Sequence, residues 1–309
     1  YQQETLAIVR RLFSPPVTDI ADIRQRMGEL MLEIVFGEGQ APRSLIRDIQ
    51  TLFAEVGLRT ALIGSRKSAE RDRFRAELVR LWRDKTPPKA KNLLSLARTA
   101  AARIPDAYGS EEVLADQIPH WMFTFTGSGS DLLARSLALI LARSEVLDRV
   151  RREIGAAGPL DRPESIRGLR ELEACILEAG RLFPPVPQTT HRATRADTFA
   201  AVTIPSGAEL LHVFAFSNRD LRRDPAAEQF RPERWLDPAG TARRLYPNLF
   251  LSGARACPGR DLILFIIKAA AAHQLHGDGL SATRSHLSSD PLPLSFPKEC
   301  LRFQQDNTH

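Results

Sequence analysis

Cysteine is scarce in this sequence: Cys175, Cys257 and Cys300 are the three in 309 residues, and no two of them form a C-x-x-C pair. An odd count without paired spacing excludes a disulfide framework and a zinc ribbon, and it fits a reducing compartment, expected to be the cytoplasm. No stretch approaches the roughly 20 consecutive apolar residues that a membrane span needs. Nor is there a run of Lys or Arg, or an interleaving of basic with aromatic residues; the 43 basic residues are scattered among 37 acidic ones. The net charge of +6 therefore reads as a solvated surface, with no nucleic-acid partner, and it suits an acidic protein partner. The opening YQQETLAIVRRLF has no initiating Met and no signal-peptide core, and it begins inside an amphipathic pattern, which suggests a fragment or a processed chain. Internal repeats and shifts of composition are absent as well, so residues 1–309 are expected to form a single domain.

What is present is a 43% hydrophobic chain, enough for a sizeable core, with mostly helical periodicity. Apolar residues at i, i+3, i+4 and i+7 predict helices at about 18–36, 43–63, 68–83 and 91–103. Residues 111–143, EEVLADQIPHWMFTFTGSGSDLLARSLALILAR, predict one helix of about 50 Å at ~1.5 Å per residue. A helix of that length that is apolar on most sides must run through the middle of the fold. Another helix at 163–182 is ended by Pro184, Pro185 and Pro187. Strand-like runs follow at about 189–193, 199–204 and 208–213, with Pro205-Ser206-Gly207 turning between the last two. Residues 218–256 have little periodicity, and so long a loop inside a domain is usually functional. Helix 258–275 succeeds it, and the tail around PLPLSFPKECLRF predicts a few strands. The expected class is mainly α with small β-sheets.

The densest chemistry lies in FLSGARACPG, residues 250–259. Cys257 sits where a loop turns into a helix, with Pro258 at the first helical position, where its missing N–H costs nothing. Free backbone N–H groups and the positive dipole end at such a terminus favour a thiolate, which is either a nucleophile or a metal ligand. Gly253 and Gly259 let something flat approach the backbone, and Arg255 places a cation beside it. A cysteine before proline, taken alone, is most often an inert buried thiol. A nucleophile would want a nearby base, and His273 lies well down the following helix.

The full pattern Phe250-x-x-Gly253-x-Arg255-x-Cys257-x-Gly259 resembles the haem-ligand signature of the haem-thiolate monooxygenases, the cytochrome P-450 family. The resemblance implies haem b with Cys257 as the axial iron ligand and Arg255 against a propionate. It extends to Glu178-Ala-Gly-Arg181 and Pro232-Glu233-Arg234-Trp235. An i, i+3 acid-base pair alone is an ordinary surface bridge worth about 0.5 kcal/mol. In the family's order and spacing, Glu178, Arg181 and Arg234 become a buried structural cluster bracing the cysteine loop. His191-Arg192 alone is an exposed basic pair; the family supplies a propionate-binding arginine from this strand, which Arg192 matches. Asn218-Arg219-Asp220 resembles an N-R-D segment of structural role.

Thr126-Gly127-Ser128-Gly129-Ser130-Asp131 interrupts the long helix, its two glycines costing about 1 kcal/mol each relative to Ala. A kink, a close helix crossing and a functional role all stay open. A phosphate loop is unlike it, since no Gly-Lys-Ser/Thr follows. In the family this point lies over the haem and carries an acid and a threonine. Aligning Gly129-x-Asp131 puts Leu132 at the threonine position; the other register puts Ser128 at the acid and Gly129 or Ser130 at the alcohol. Thr126, Ser128 and Ser130 are the proton-relay candidates, with Gly127 and Gly129 beside the cofactor.

From the resemblance follow a P-450-like fold, starting part-way through at its N-terminal end, and monooxygenase activity: one oxygen atom of O2 inserted into a small apolar substrate. Electrons would come from a ferredoxin and its reductase, with Arg260 and Lys268 as docking candidates. Two alternatives stay open: a peroxide-using or isomerising haem-thiolate enzyme, and a truncated or degenerate non-catalytic haem-binding fragment. Cys175 and Cys300 are expected to be ordinary thiols.

Overall fold

The computed structural model of the chain describes residues 2–49, 51, 69–84, 92–104, 106, 110–246, 249–253, 256–277, 279–282, 287–288, 290–297 and 301–305. Helices α1 (Gln2–Phe13) and α2 (Ile20–Phe36) open it. The second starts where the Asp19 carboxylate accepts the Asp22 N–H and stops at Gly37, whose φ of 96° only glycine adopts freely. Of the helix expected at 43–63, residues 44–49 and 51 are helical, and the rest lies outside the described residues. Helices α3 (Ala69–Asp84) and α4 (Leu93–Ala101) follow as expected.

The helix expected to run unbroken over 111–143 is divided. It comprises α5 (Glu111–Ala115), α6 (Gln117–Thr124), a π-helical turn (Phe125–Gly129) and α7 (Ser130–Leu141), with a turn at Asp116. The extra residue per turn falls on the Gly127/Gly129 segment, where helix propensity is weakest. Every residue of α7 is buried, so it does run through the centre. Helices α8 (Ser144–Ala156) and α10 (Arg170–Leu182) pack on it.

Helix 163–182 likewise divides, into α9 (Pro163–Gly168) and α10, at Leu169 with ψ 84°. The cause is a cap from outside: Glu153 of α8 accepts the N–H groups of Arg170, Glu171 and Leu172 at 2.6, 2.8 and 3.0 Å, and so starts a fresh helix there.

The strands are short antiparallel pairs. β1 (Gln188–Arg192) pairs with β4 (Glu209–Val213), and β2 (Asp197–Phe199) pairs with β3 (Val202–Ile204). The single run expected at 199–204 is thus a hairpin, reversing over Ala200 and Ala201 at φ 46° and 65°. Such a turn ordinarily announces itself as Asn-Gly, and Ala-Ala carries no such signal. Pro205-Ser206-Gly207 does turn as expected, with Gly207 at φ 83°.

After α11 (Phe214–Asn218) come a 3-10 turn (Pro232–Trp235) and α12 (Thr241–Leu245), and most of the described residues between them are irregular. Helix α13 begins at Arg260 and runs to Leu275, so Pro258 stands in the preceding turn and not at the first helical position. Ala269 to Ala272 are fully buried in it, and the helix packs on α1. The tail forms one strand pair, β5 (Leu280–Ala282) with β6 (Phe303–Gln305). Residues 291–297, expected to be extended in a sheet, are irregular, and Cys300 lies outside the described residues.

Candidate active site

The cysteine loop closes on itself. The Cys257 N–H donates to Phe250 O at 2.8 Å and the Ala256 N–H to Gly253 O at 3.1 Å. Two left-handed residues, Leu251 at φ 57° and Gly253 at φ 62°, reverse the chain between them. Cys257 is a free, half-buried thiol. A Cβ placed on Gly259 would stand 4.0 Å from the sulfur, and one placed on Gly253 would meet nothing within 4 Å among the described residues. Phe250 is half-buried, with the Arg260 guanidinium 5.8 Å from its ring centroid. Arg255 lies outside the described residues.

Helix α10 presents Glu178 and Arg181, both fully buried. Glu178 accepts five N–H groups between 2.8 and 3.0 Å: two from Arg181 and one each from Arg234, Trp235 and the Arg231 backbone. All five N–H donors of Arg181 are used as well, the other three meeting the carbonyls of Asn218, Ala227 and Gln229 at 2.6, 2.7 and 3.1 Å. Arg234 also bonds Asp224 and the Ala226 carbonyl. Burial would raise the Asp224 carboxyl, but the Ala226 N–H, the Tyr246 hydroxyl and Arg234 together hold it below its usual range. Burial, and then the hydrogen bond to Asp224, push the Tyr246 phenol up to about 12. The structure thus brings Glu178, Arg181 and Arg234 together as one network.

Sequence reasoning missed three members: Trp235, Asp224 and Tyr246. The indole N–H was the available signal for Trp235, since a buried Trp seeks an acceptor. Gly180 was missed too. A Cβ there would stand 2.6 Å from Leu249 Cδ1 and 3.1 Å from Leu132 Cδ1, so it is the point where the cysteine loop and α7 both press against α10.

Three side chains cap the end of α10: Asn218 donates to Arg181 O, Arg219 twice to Leu182 O, and Arg135 to Phe183 O. Arg219 is buried, and besides its two bonds to Leu182 O it donates to a third backbone carbonyl oxygen, that of Leu292, at 3.1 Å. Burial and the neighbouring Arg181 lower its pKa to about 10. This is the structural role expected for Asn218-Arg219-Asp220. Arg192 is exposed on β1 and paired at 3.4 Å with Glu209, its cross-strand partner. Lys268, expected near the cysteine as a docking residue, is instead 4% exposed, its ammonium donating to Glu173 and to Arg167 O at 2.8 and 3.2 Å. Burial and then Glu171 raise the Cys175 thiol well above its ordinary range, which makes it inert.

The π-helical turn lies between α2 and α13. A Cβ on Gly129 would meet Ile263 Cδ1 at 2.8 Å and Met27 Cε at 3.3 Å, so this glycine serves a helix crossing. Gly127 is half-buried, with only the Phe123 ring near it, at 3.9 Å from a Cβ placed there. The hydroxyls of Thr126 and Ser130 donate to Met122 O at 2.9 Å and Phe125 O at 3.1 Å, while Ser128 is half-buried. Asp131 is buried between two cations, Arg24 of α2 at 2.9 Å and Arg135 at 2.6 Å.

The donor set speaks to what Cys257 could bind. Among the described residues no group of three or more His, Cys, Asp or Glu could hold a metal ion. A lone thiolate suits a metal whose remaining positions are filled by a macrocycle, and the glycine-flanked loop fits such a flat group.

Comparison with known proteins agrees. The family model described as Cytochrome P450 matches residues 73–276. A cytochrome P450 monooxygenase named ABA2 from Pyricularia oryzae (strain Y34) is 31% identical over 199 residues, covering 59% of this chain and 45% of that protein. The chain spans less than half the length of the curated relatives it first matches. The fold is that of a solved cytochrome P450 (CYP102L1), with TM-score 0.80 at 19% identity over 99% of this chain and 77% of the other. A retinoic acid bound cyanobacterial CYP120A1 gives TM-score 0.77 at 22% identity, over 97% and 73%. With two thirds of its length matched by that model, this chain belongs to the cytochrome P450 family.

Proposed function

We propose that the chain carries the thiolate side of a haem-thiolate monooxygenase acting on a small apolar substrate. The observation that carries this reading is the self-closed loop that presents the Cys257 thiol, preceded by Leu249, whose side chain packs at the Gly180 position of the helix that carries Glu178. Cys257 would be the axial ligand to haem b, with Arg192 and, by its place in the motif, Arg255 for the propionates. Phe250, Gly253 and Gly259 leave room for the ring. When bound, haem supplies a redox-active iron that activates dioxygen with electrons from a partner.

The chain's own contribution is positional on the cysteine side. Arg181 and Arg234 neutralise Glu178 where water is excluded, so the network has one arrangement, and on this reading it braces the cysteine loop. On the opposite side, Thr126 and Ser130 donate their hydroxyl hydrogens to backbone carbonyls, leaving oxygen lone pairs free to accept a proton, and Ser128 is the third candidate in the relay. Arg260 is the remaining docking candidate for an acidic ferredoxin, itself served by a reductase.

A second reading, peroxide use or isomerisation, is favoured by Leu132. In the register that aligns Gly129-x-Asp131 it takes the place of the family's threonine, and it is buried against the Gly180 position. Reduced haem-loaded protein with carbon monoxide should give the red-shifted thiolate Soret band, and Cys257→Ser should lose it while keeping its circular dichroism. An unchanged band in the variant refutes the ligand assignment. Turnover with NADPH, ferredoxin and reductase, compared with turnover on peroxide alone, separates the two readings.

A further inference from the structure

Two glycines receive the two flanks of the cysteine loop. Leu249, directly before Phe250, reaches the Gly180 position of α10, where an added Cβ would stand 2.6 Å from its Cδ1 and 3.7 Å from its Cγ. Leu132 of α7 enters the same gap, 3.1 Å away through its own Cδ1. Ile263 of α13, six residues after Cys257, fills the Gly129 position of the π-helical turn in the same way, at 2.8 Å. The chain before the thiol thus meets α7 at Gly180, and the chain after it meets the π-helical turn directly.

Neither glycine is demanded by its backbone. Gly129 has helical φ −66° and ψ −46°, and Gly180 lies inside α10 and is not among the glycines with positive φ. Glycine is a poor helix former, so what these positions require is the missing Cβ. At Gly180 the neighbours decide which side would yield if that space were filled. Glu178 and Arg181, two residues before it and one after, are fully buried and joined by hydrogen bonds of 2.8 and 2.9 Å, so α10 is held in place. Leu132 is 4% exposed within a helix that is buried throughout. Leu249 is half-buried and lies outside any helix or strand, so it and the loop behind it would move.

We propose that Gly180 is a positioning residue for Cys257: by admitting Leu249 and Leu132 to one gap it sets how close the cysteine loop stands to α7, and with Gly129 it fixes the clearance for a flat cofactor on the thiol. This rests on the reading of Cys257 as the haem ligand. A methyl group at Gly180 would fall short of ordinary contact with Leu249, which begins at 3.4 Å, by more than the ~0.5 Å of misplacement that a functional site tolerates. The loop would then stand off from α7 and carry the sulfur with it.

The test is the reduction potential of the haem-loaded chain by spectroelectrochemical titration, with the Soret band of its reduced carbon monoxide complex as second readout. Gly180→Ala should raise the potential and shrink the red-shifted band, because a thiolate held off the iron gives it less charge. Gly180→Ala/Leu249→Val moves one carbon from the loop to the helix, conserves volume and should return both readouts to wild type. Gly155→Ala, in α8 with nothing within 4 Å of its added Cβ among the described residues, should change neither. Should Gly180→Ala bind no haem, recovery of haem in the double variant is the supporting result. An unchanged potential and band in Gly180→Ala, a double variant as displaced or as empty of haem as the single one, or an equal shift in Gly155→Ala overturns the proposal. A wild type without the red-shifted band removes the ligand assignment itself and this proposal with it, whereas the other failures leave that assignment standing.

Discussion

Glu178→Gln keeps the shape of the buried hub and removes its charge. If the amide oxygen takes the Oε1 position, it still accepts from Arg181 Nη2, Arg234 Nε and the Arg231 N–H. The amide nitrogen then faces Arg181 Nε and Trp235 Nε1, two donors left without an acceptor. The flipped amide strands three. Each unmet buried donor costs about 1–3 kcal/mol, and Arg181, which has no exposure, loses its counter-charge. Its bonds to three backbone carbonyls survive, so the loss should stay at about 3–5 kcal/mol, the range for breaking a buried pair. That is large against the ~5–15 kcal/mol that holds a domain together. The assay is urea unfolding followed by circular dichroism. Glu77→Gln serves as control: Glu77 and Arg80 have the same i, i+3 spacing, at 42% and 60% side-chain exposure, and should lose under about 1 kcal/mol. Equal losses for the two variants would refute the argument, since burial would then not distinguish them.

Two further substitutions test its surroundings. Tyr246 has its phenol raised from 10 to about 12, so the unfolded chain releases this proton first; the associated stability is complete below pH 10 and is lost as pH rises to about 12. Tyr246→Phe should therefore be less stable than wild type by about 1 kcal/mol near neutral pH, with the gap closing between pH 10 and 12 in denaturant titrations; a gap constant across that window would refute the assignment. Gly180→Ala sets helix propensity, which favours Ala by about 1 kcal/mol, against overpacking at 2.6 Å from Leu249, which costs about 1–3 kcal/mol. Packing should win, lowering the melting temperature, and a variant more stable than wild type would sink that judgement.

Most helices were legible because their apolar stripes repeat locally, as in α2, α3 and α4. The misreadings share a cause in distant residues. Nothing between residues 163 and 182 says that Glu153 will cap α10 at Leu169. The hairpin at 197–204 escaped because its turn uses alanine, and periodicity alone does not separate one strand from two short ones facing each other. Lys268 reads as a surface cation on any charge map, and only Glu173 and the Arg167 carbonyl explain its burial.

The two sides of the site differ in legibility for a physical reason. On the cysteine side, buried polar groups must find partners of stated type, so Glu178 demands donors and Arg181 demands acceptors. Those demands hold Glu178, Arg181 and Arg234 to fixed residue types and order, which is what a motif records. On the side of the π-helical turn the requirement is shape. Gly28 admits Thr126 and Ile46, and Gly129 admits Ile263 and Met27, contacts that ask only for the missing Cβ on one side and set no polar requirement on the other. Polar demands at this turn are met within its own backbone, by Thr126 on Met122 and Ser130 on Phe125. A site wall built that way can change its residues without breaking a network, so its chemistry has to be read from atoms in place, as with the buried Asp131, held between Arg24 and the buried Arg135.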